Sequence, residues 1–361
     1  MLTIFTTKEA DTGADSPSID RFDDSIIFDV VEEDPPPDKR PEAPKTTVKP
    51  SIPPGNLLII NSPAPSSRDE LPKAIFATEL QYGAGNLTYK NDPAKDFFEI
   101  YETLNDGTKK IRLMPRSLFV KNGTNFVPKN QTFTNRLWGY SRKLECLNLT
   151  IPRNSSERYL ELADLVWLQY VRDMVFGYNS VPFLLGGTLL GWLRECSLIP
   201  HTMDLDFAIF EEDFPFQMVP DQLKRPQPGF RLWRILGKPG DSYELTFAVT
   251  TKKLTFGLDV FTVYRDRLHN LNYVTMVIED QGVIGKYRSE YPSFEADFCT
   301  AELLGMVFHV PCKPELILEA DYGKEWRKDV SSVGYYPTLS KNVKPNGSFN
   351  ASEKANVMQY Y

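Results

Sequence analysis

Apolar and polar positions change period several times along this chain, and each change marks an element. In SSERYLELADLVWLQYVRDMVFGYN, Leu160, Ala163, Leu165, Leu168, Val171 and Val175 recur at helical spacing, which predicts a long amphipathic helix with its stripe against a core. Ser155 or Ser156 can cap its start, and Gly177 and Asn179 end it. The period then shortens. VPFLL reads as a short buried strand, the two glycines after it as a tight turn, TLLGWLRE as a mostly buried helix and LDFAIF as a second strand. Further on, SYELTFAVTT and KLTFGLDVFTVY are β-patterned and thinly connected, which predicts a hairpin. The stretch before them, KRPQPGFRLWRILGKPG, is basic and punctuated by Pro. It reads as a solvated charged loop whose Lys224, Arg225, Arg231, Arg234 and Lys238 have contact with an anionic ligand as their other reading.

Upstream the pattern loosens. Residues 56–152 offer short apolar runs such as NLLII and KAIFATEL between turn signals such as YGAGN and LNDGT, the texture of a small β-rich accessory domain. Residues 1–55 are rich in Pro and charge and poor in periodicity, so they cannot repay their ordering entropy and read as a disordered linker or stem. A brief apolar patch, SIIFDVV from Ser25 to Val31, does not change that reading. Residues 153–361 are left as the catalytic domain.

Composition narrows the function. The 361 residues are 41% hydrophobic, enough for a sizeable core, and 41 Lys plus Arg against 48 Asp plus Glu give a net charge of −7. No long basic block with interleaved aromatics exists, so nucleic acid is not an expected partner. The longest nearly uncharged run, VPFLLGGTLLGWL, is too short to cross a bilayer, which takes about 20 residues, and no signal peptide is visible. Yet Asn86, Asn122, Asn130, Asn148, Asn154, Asn346 and Asn350 each begin an N-x-S/T triplet, where about two are expected by chance. That excess points to a secretory lumen and to a truncated form of a membrane-anchored protein. Cys146, Cys196, Cys299 and Cys312 form no CxxC pair, which gives a zinc site no local support. They read equally well as disulfides or as buried small hydrophobes.

The chemistry concentrates in LLGGTLLGWLRECSLIPHTMDLDFAIF. On a strand, Asp204 and Asp206 share a face while Leu205, Phe207 and Ile209 point into the core. Two carboxylates so close repel, and Mg²⁺ or Mn²⁺ resolves the conflict. Gly186 and Gly187 stand at a strand-to-helix junction, where bare N–H groups favour phosphate, and Thr188 adds a hydroxyl. Asp259 in FGLDVFTVY is an acid within an apolar strand and needs a partner there. A glycine turn, two acids on the next strand and a third on a later strand make up a nucleotidyltransferase (polymerase-β-like) core, and the expected fold is α+β. His201, beside the acids, is a candidate general base or base-stacking group, with a structural role as the other reading.

The ordered motifs GGTLLGWLREC, IPHTMDLDFAIF, LDVFTVYRD, YPSF, FCTAELLGMVFHVPCKPELILEADYGKEW and NVKPNG resemble the fukutin and LicD family over roughly residues 133–361. The resemblance implies transfer of a phospho-alcohol, ribitol 5-phosphate in fukutin-like members, from a CDP-linked donor to a glycan hydroxyl in the Golgi. It implies Asp204, Asp206 and Asp259 as metal ligands, with Gly186, Gly187 and Thr188 facing the donor phosphates and Arg194 as the arginine of the GW-R motif. Association with other Golgi glycosylation enzymes goes with it. Bacterial members carry further acids where this chain has Thr202 and Met203. A nucleotide-sugar glycosyltransferase also uses a DxD, but the β-rich upstream segment does not look like its nucleotide-binding βαβ region. A non-catalytic glycan-binding or scaffold member of the family is the third reading.

Overall fold

The structure is a computed structural model and describes residues 86–361 apart from 123–124, 154–157, 295–296 and 330–335. The expected stem, the first part of the accessory segment and the capping serines lie outside the described residues. Strands β1 (Asn86–Lys90), β2 (Phe97–Thr103) and β3 (Lys109–Pro115) form an antiparallel sheet, followed by the hairpin of β4 (Phe119–Asn122) and β5 (Asn125–Pro128). Helix α1 (Gln131–Tyr140) starts where the Asn130 side chain accepts the Phe133 N–H. Phe98, Ile100, Met114, Phe133, Leu137 and Trp138 cluster here with Phe176 and Val181 from the following chain. Buried Arg172 donates to Asp96 Oδ2 at 2.7 Å and also to Asp173, so its charge is paired.

After the two-residue strand β6 (Lys143–Leu144) comes the amphipathic helix, α2, over Leu165–Phe176. It begins later than the spacing predicts. Glu161 and Asp164 form a reciprocal capping box that holds Leu162–Asp164 as a single 3₁₀ turn, with Leu160 buried ahead of it. Strand β7 (Phe183–Leu184), helix α3 (Gly186–Glu195) and strand β8 (Asp204–Phe210) follow in the predicted order. Then come α4 (Met218–Lys224), β9 (Phe230–Leu236), β10 (Glu244–Thr250) and β11 (Thr255–Asp266). The basic stretch is therefore not all loop. Its FRLWRIL forms a strand, and β9 buries Phe230, Leu232 and Arg234 while Arg231 stays exposed.

Strands β12 (Leu271–Asp280), β13 (Val283–Pro292), β14 (Phe298–Leu303) and β15 (Met306–Pro311) precede helix α5 (Pro314–Tyr322). Strand β16 (Val343–Phe349), the short helix α6 (Lys354–Val357) and β17 (Met358–Tyr360) close the chain. One mixed sheet runs β16-β13-β12-β11-β8-β7-β15-β14-β6, and β10, β9 and β17 branch from β11. The protein is of mixed α/β composition, in keeping with the α+β expectation. The predicted hairpin forms, β10 lying antiparallel to β11. On its other side, β11 lies parallel to β8. Nearly every residue of β8 and of the first three quarters of β11 is buried, which explains their continuous apolar runs.

All four cysteines are paired, Cys146 with Cys196 and Cys299 with Cys312. Cys196 ends α3 in the left-handed region at φ 52°. The Leu147 and Leu149 N–H groups bond the Leu193 and Arg194 carbonyls, so the first disulfide closes a seam already held by backbone.

Candidate active site

The pairing of β8 with β11 sets Asp206 directly opposite Asp259, and Asp204 lies two residues earlier on the same face as Asp206. One oxygen from each of the three carboxylates can be chosen so that all lie within 4.8 Å of one another. Asp206 and Asp259 are 3% and 2% exposed, and Asp204 is half-buried at the strand mouth. At an effective dielectric of about 20, each ionised pair at such a distance repels by roughly 3–4 kcal/mol. Hard oxygen donors of like charge at this spacing fit Mg²⁺ or Mn²⁺.

The glycine turn meets the same carboxylates. Gly186 has φ +55°, and a Cβ there would stand 2.7 Å from Asp206 Oδ2, so both conformation and space call for glycine. A Cβ on Gly187 would be 3.6 Å from Asp206 Oδ2 and from Thr202 Oγ1. Thr188 and Asp206 clasp each other: the Asp206 N–H donates to Thr188 Oγ1 at 2.8 Å and the Thr188 N–H to Asp206 Oδ2 at 3.3 Å. The N-terminus of α3, with its partial positive charge, is thus aimed at the acid cluster. The N–H groups of Gly186 and Gly187, in its first turn, have no carbonyl of their own helix to bond. Thr202 donates its hydroxyl to Asp204 Oδ1 at 3.2 Å.

Two predicted site residues have protein partners. Arg194 is buried and donates to Glu195 Oε1 at 2.8 Å and to the Lys328 carbonyl at 2.9 Å, with Asp329 at 3.3 Å. Its guanidinium ties α3 to the segment after α5. His201 Nε2 lies 3.3 Å from the same Asp329 oxygen, and Arg153 reaches that oxygen at 3.0 Å.

Glu244 and Asp321 escaped the sequence reading, and Arg234, placed there in a solvated loop or against an anionic ligand, is instead buried among protein partners. Arg234 Nε donates to Thr246 Oγ1, and Arg234 also pairs with buried Glu244 at 3.1 Å. Asp321 on α5 accepts a hydrogen bond from Asn342 at 2.9 Å. The apolar residues of FRLWRIL were a signal for the strand, but none singled out Arg234. Glu244 opens the β-patterned run ELTFAV just after Asp241 and Ser242, and Asp321 lies between Glu319 and Lys324, so neither stands out locally as Asp259 does.

Burial, followed by the Asp204 and Asp259 charges, pushes Asp206 up to about 6. Burial also pushes Glu244 up to about 7, with Arg234 opposing and Asp259 adding, and Asp321 up to about 7, with Asp206 adding. Each of these acids holds its proton more tightly when folded. Stability therefore falls as pH rises from the unfolded value near 4 through about 6 to 7. Acids held low, such as Asp266 by Arg288 and His269, act in the opposite sense only below about pH 4. Buried His309, pushed down to about 3, also opposes, but as one group against three. In EDTA the protein is expected to melt at a higher temperature at pH 5.5 than at pH 8. Mn²⁺ at pH 8 should recover most of the difference, and a flat melting profile would contradict the clustering of buried acids.

Comparison with known proteins agrees with the motif order. The family model described as LicD/FKTN/FKRP, nucleotidyltransferase domain, matches residues 179–313, which include the glycine turn and all three aspartates. Two uncharacterized Caenorhabditis elegans proteins are similar over most of their length. T07A5.1 is 32% identical over 329 residues, 86% of this chain and 85% of that protein, and W02B3.4 is 34% identical over 281 residues, 76% and 69%. The human ribitol-5-phosphate transferase FKTN is 35% identical over 183 residues, 50% of this chain and 37% of that protein. The chain belongs to the fukutin/LicD family. The relatives that carry a named activity are ribitol-5-phosphate transferases. Among the described residues no helix is long and apolar enough to cross a membrane.

Proposed function

We propose that this chain transfers ribitol 5-phosphate from a CDP-linked donor to a glycan hydroxyl and releases CMP, with Mg²⁺ or Mn²⁺ held by Asp204, Asp206 and Asp259. The observation that supports it most is the meeting of three carboxylates with the glycine-opened start of α3. Bound there, a divalent ion would supply charge neutralisation to the donor phosphates. The chain's own residues bind and orient. Asp206 is locked by Thr188, and Asp204 is steadied by Thr202. The N–H groups of Gly186 and Gly187 take a phosphate oxygen, the lack of side chains letting the donor approach the backbone. Arg194 and His201 act through the Asp329 segment, holding the wall of the site rather than the phosphate.

The compartment we propose is the Golgi lumen, alongside other glycosylation enzymes. Seven sequons and two disulfides support an oxidising secretory environment.

Donor and metal should stabilise the protein together. With Mn²⁺ present and CDP-ribitol at about 100 times its Kd, stability should rise by about 2.7 kcal/mol, read as a shift in thermal melting. The shift should be much smaller in EDTA. A shift with UDP- or GDP-sugars and none with CDP-ribitol would favour a nucleotide-sugar glycosyltransferase.

A further inference from the structure

Four adjacent strands each place one residue in a single cross-strand row. Arg234 on β9 stands opposite Thr246 on β10, Thr246 opposite Asp259 on β11, and Asp259 opposite Asp206 on β8. Opposed residues put their side chains on one face, and all four of these are buried. The β9–β10 register slips immediately after Thr246, so the row ends at an irregularity of the kind that re-aims side chains beside active sites.

The inventory of protons fixes the direction of each bond. A guanidinium only donates, so Arg234 Nε donates to Thr246 Oγ1 at 2.8 Å. The threonine hydroxyl has one proton, which it donates to Asp259 Oδ1 at 2.5 Å. Arg234 Nη2 donates to Glu244 Oε1 at 3.1 Å and lies 3.8 Å from Asp259 Oδ1. With Nε on Thr246 and Nη2 on Glu244, the guanidinium is held at two points beside the acid cluster.

Resting on the metal reading above, we propose that Arg234, Thr246 and Glu244 form a positioning relay for Asp259. Thr246 fixes the rotation of the Asp259 carboxylate, Arg234 fixes the Thr246 hydroxyl, and Glu244, accepting from Nη2, fixes the plane of the Arg234 guanidinium. None of the three touches the ion. They act as outer partners that orient a ligand, a role whose loss typically costs 10- to 100-fold in metal affinity.

The test is a calorimetric titration of the purified protein with Mn²⁺ alone, without turnover, with apo melting temperature as the control for folding. Thr246→Val keeps the shape and removes the hydroxyl, and is expected to bind Mn²⁺ about tenfold more weakly or worse. Thr246→Ser restores the hydroxyl and should return affinity to within about threefold of wild type, a rescue that a packing role would not produce. Arg234→Lys keeps the charge but loses the Nε–H, and should weaken Mn²⁺ binding similarly, which covers the case of a valine variant that does not fold. Wild-type affinity in Thr246→Val, or in Arg234→Lys, would overturn the relay while leaving the metal site intact. A wild-type protein that takes up no Mn²⁺ would overturn the metal reading and the relay with it.

Discussion

Changing Asp204 and Asp206 together to Asn should reduce transfer from CDP-ribitol by roughly 10³-fold or more and leave the fold in place. Asn keeps the shape of each side chain, and the amide can still bond Thr188 and Thr202, which now hold the two carboxylates. What disappears is the charge that retains the cation. Without metal the variant should melt at or above the wild-type temperature, because burial beside Asp204 and Asp259 has already pushed Asp206 up to about 6 and that cost is relieved. Adding Mn²⁺ should raise the melting temperature of the wild type and barely move the variant. Transfer is read as CMP release and melting by fluorescence. Wild-type activity in the variant would end the catalytic role of these acids, and an unfolded variant would make the pair structural.

Breaking the Cys146–Cys196 disulfide is expected to cost up to about 4 kcal/mol, the entropy of freeing a loop of about this length on the chain-entropy account. The two cysteines are separated by 50 residues, and the loop contains α2, β7 and all of α3. Backbone bonds from Leu147 and Leu149 already close part of the seam, so the loss should show as lower stability with the site still formed. Denaturant melts of the double Cys→Ser variant against wild type read the difference. The same bond reports on compartment. In cells, the cysteines of the endogenous protein should resist alkylation unless a reductant is added first, as in a secretory lumen. Ready alkylation without reductant would contradict that placement.

Much of the site was legible because its signals are local. The strand, glycine turn, helix and strand from Val181 to Phe210 follow one another with clear changes of period, and acids in apolar strands stand out whatever the fold. The adjacency of β8 and β11 followed from the chemistry, since two acids and a third make sense only if their strands are neighbours. Other features depend on approaches between distant segments. Arg194 reads as a site arginine in its motif, but its partners Lys328 and Asp329 come from beyond α5, and no spacing around Arg194 announces them. The disulfide pairing is of the same kind, with each cysteine locally an ordinary apolar residue. Arg234 was placed in a loop because Pro and charge on both sides outweighed the short, mostly apolar run FRLWRIL. The start of α2 was misplaced because the Glu161–Asp164 box competes with continuous helix at the same apolar positions.

In the proposed function the three aspartates serve a metal-dependent transfer of ribitol phosphate. Its most direct measurement is CMP release from CDP-ribitol by purified protein with a glycan acceptor, followed together with the mass gain of the glycan, in Mn²⁺ and in EDTA. Equal molar amounts of CMP and ribitol-phosphate-modified glycan are expected in Mn²⁺, and neither in EDTA. Transfer that continues undiminished in EDTA, or a protein that ignores CDP-ribitol while turning over a nucleotide sugar, would contradict it.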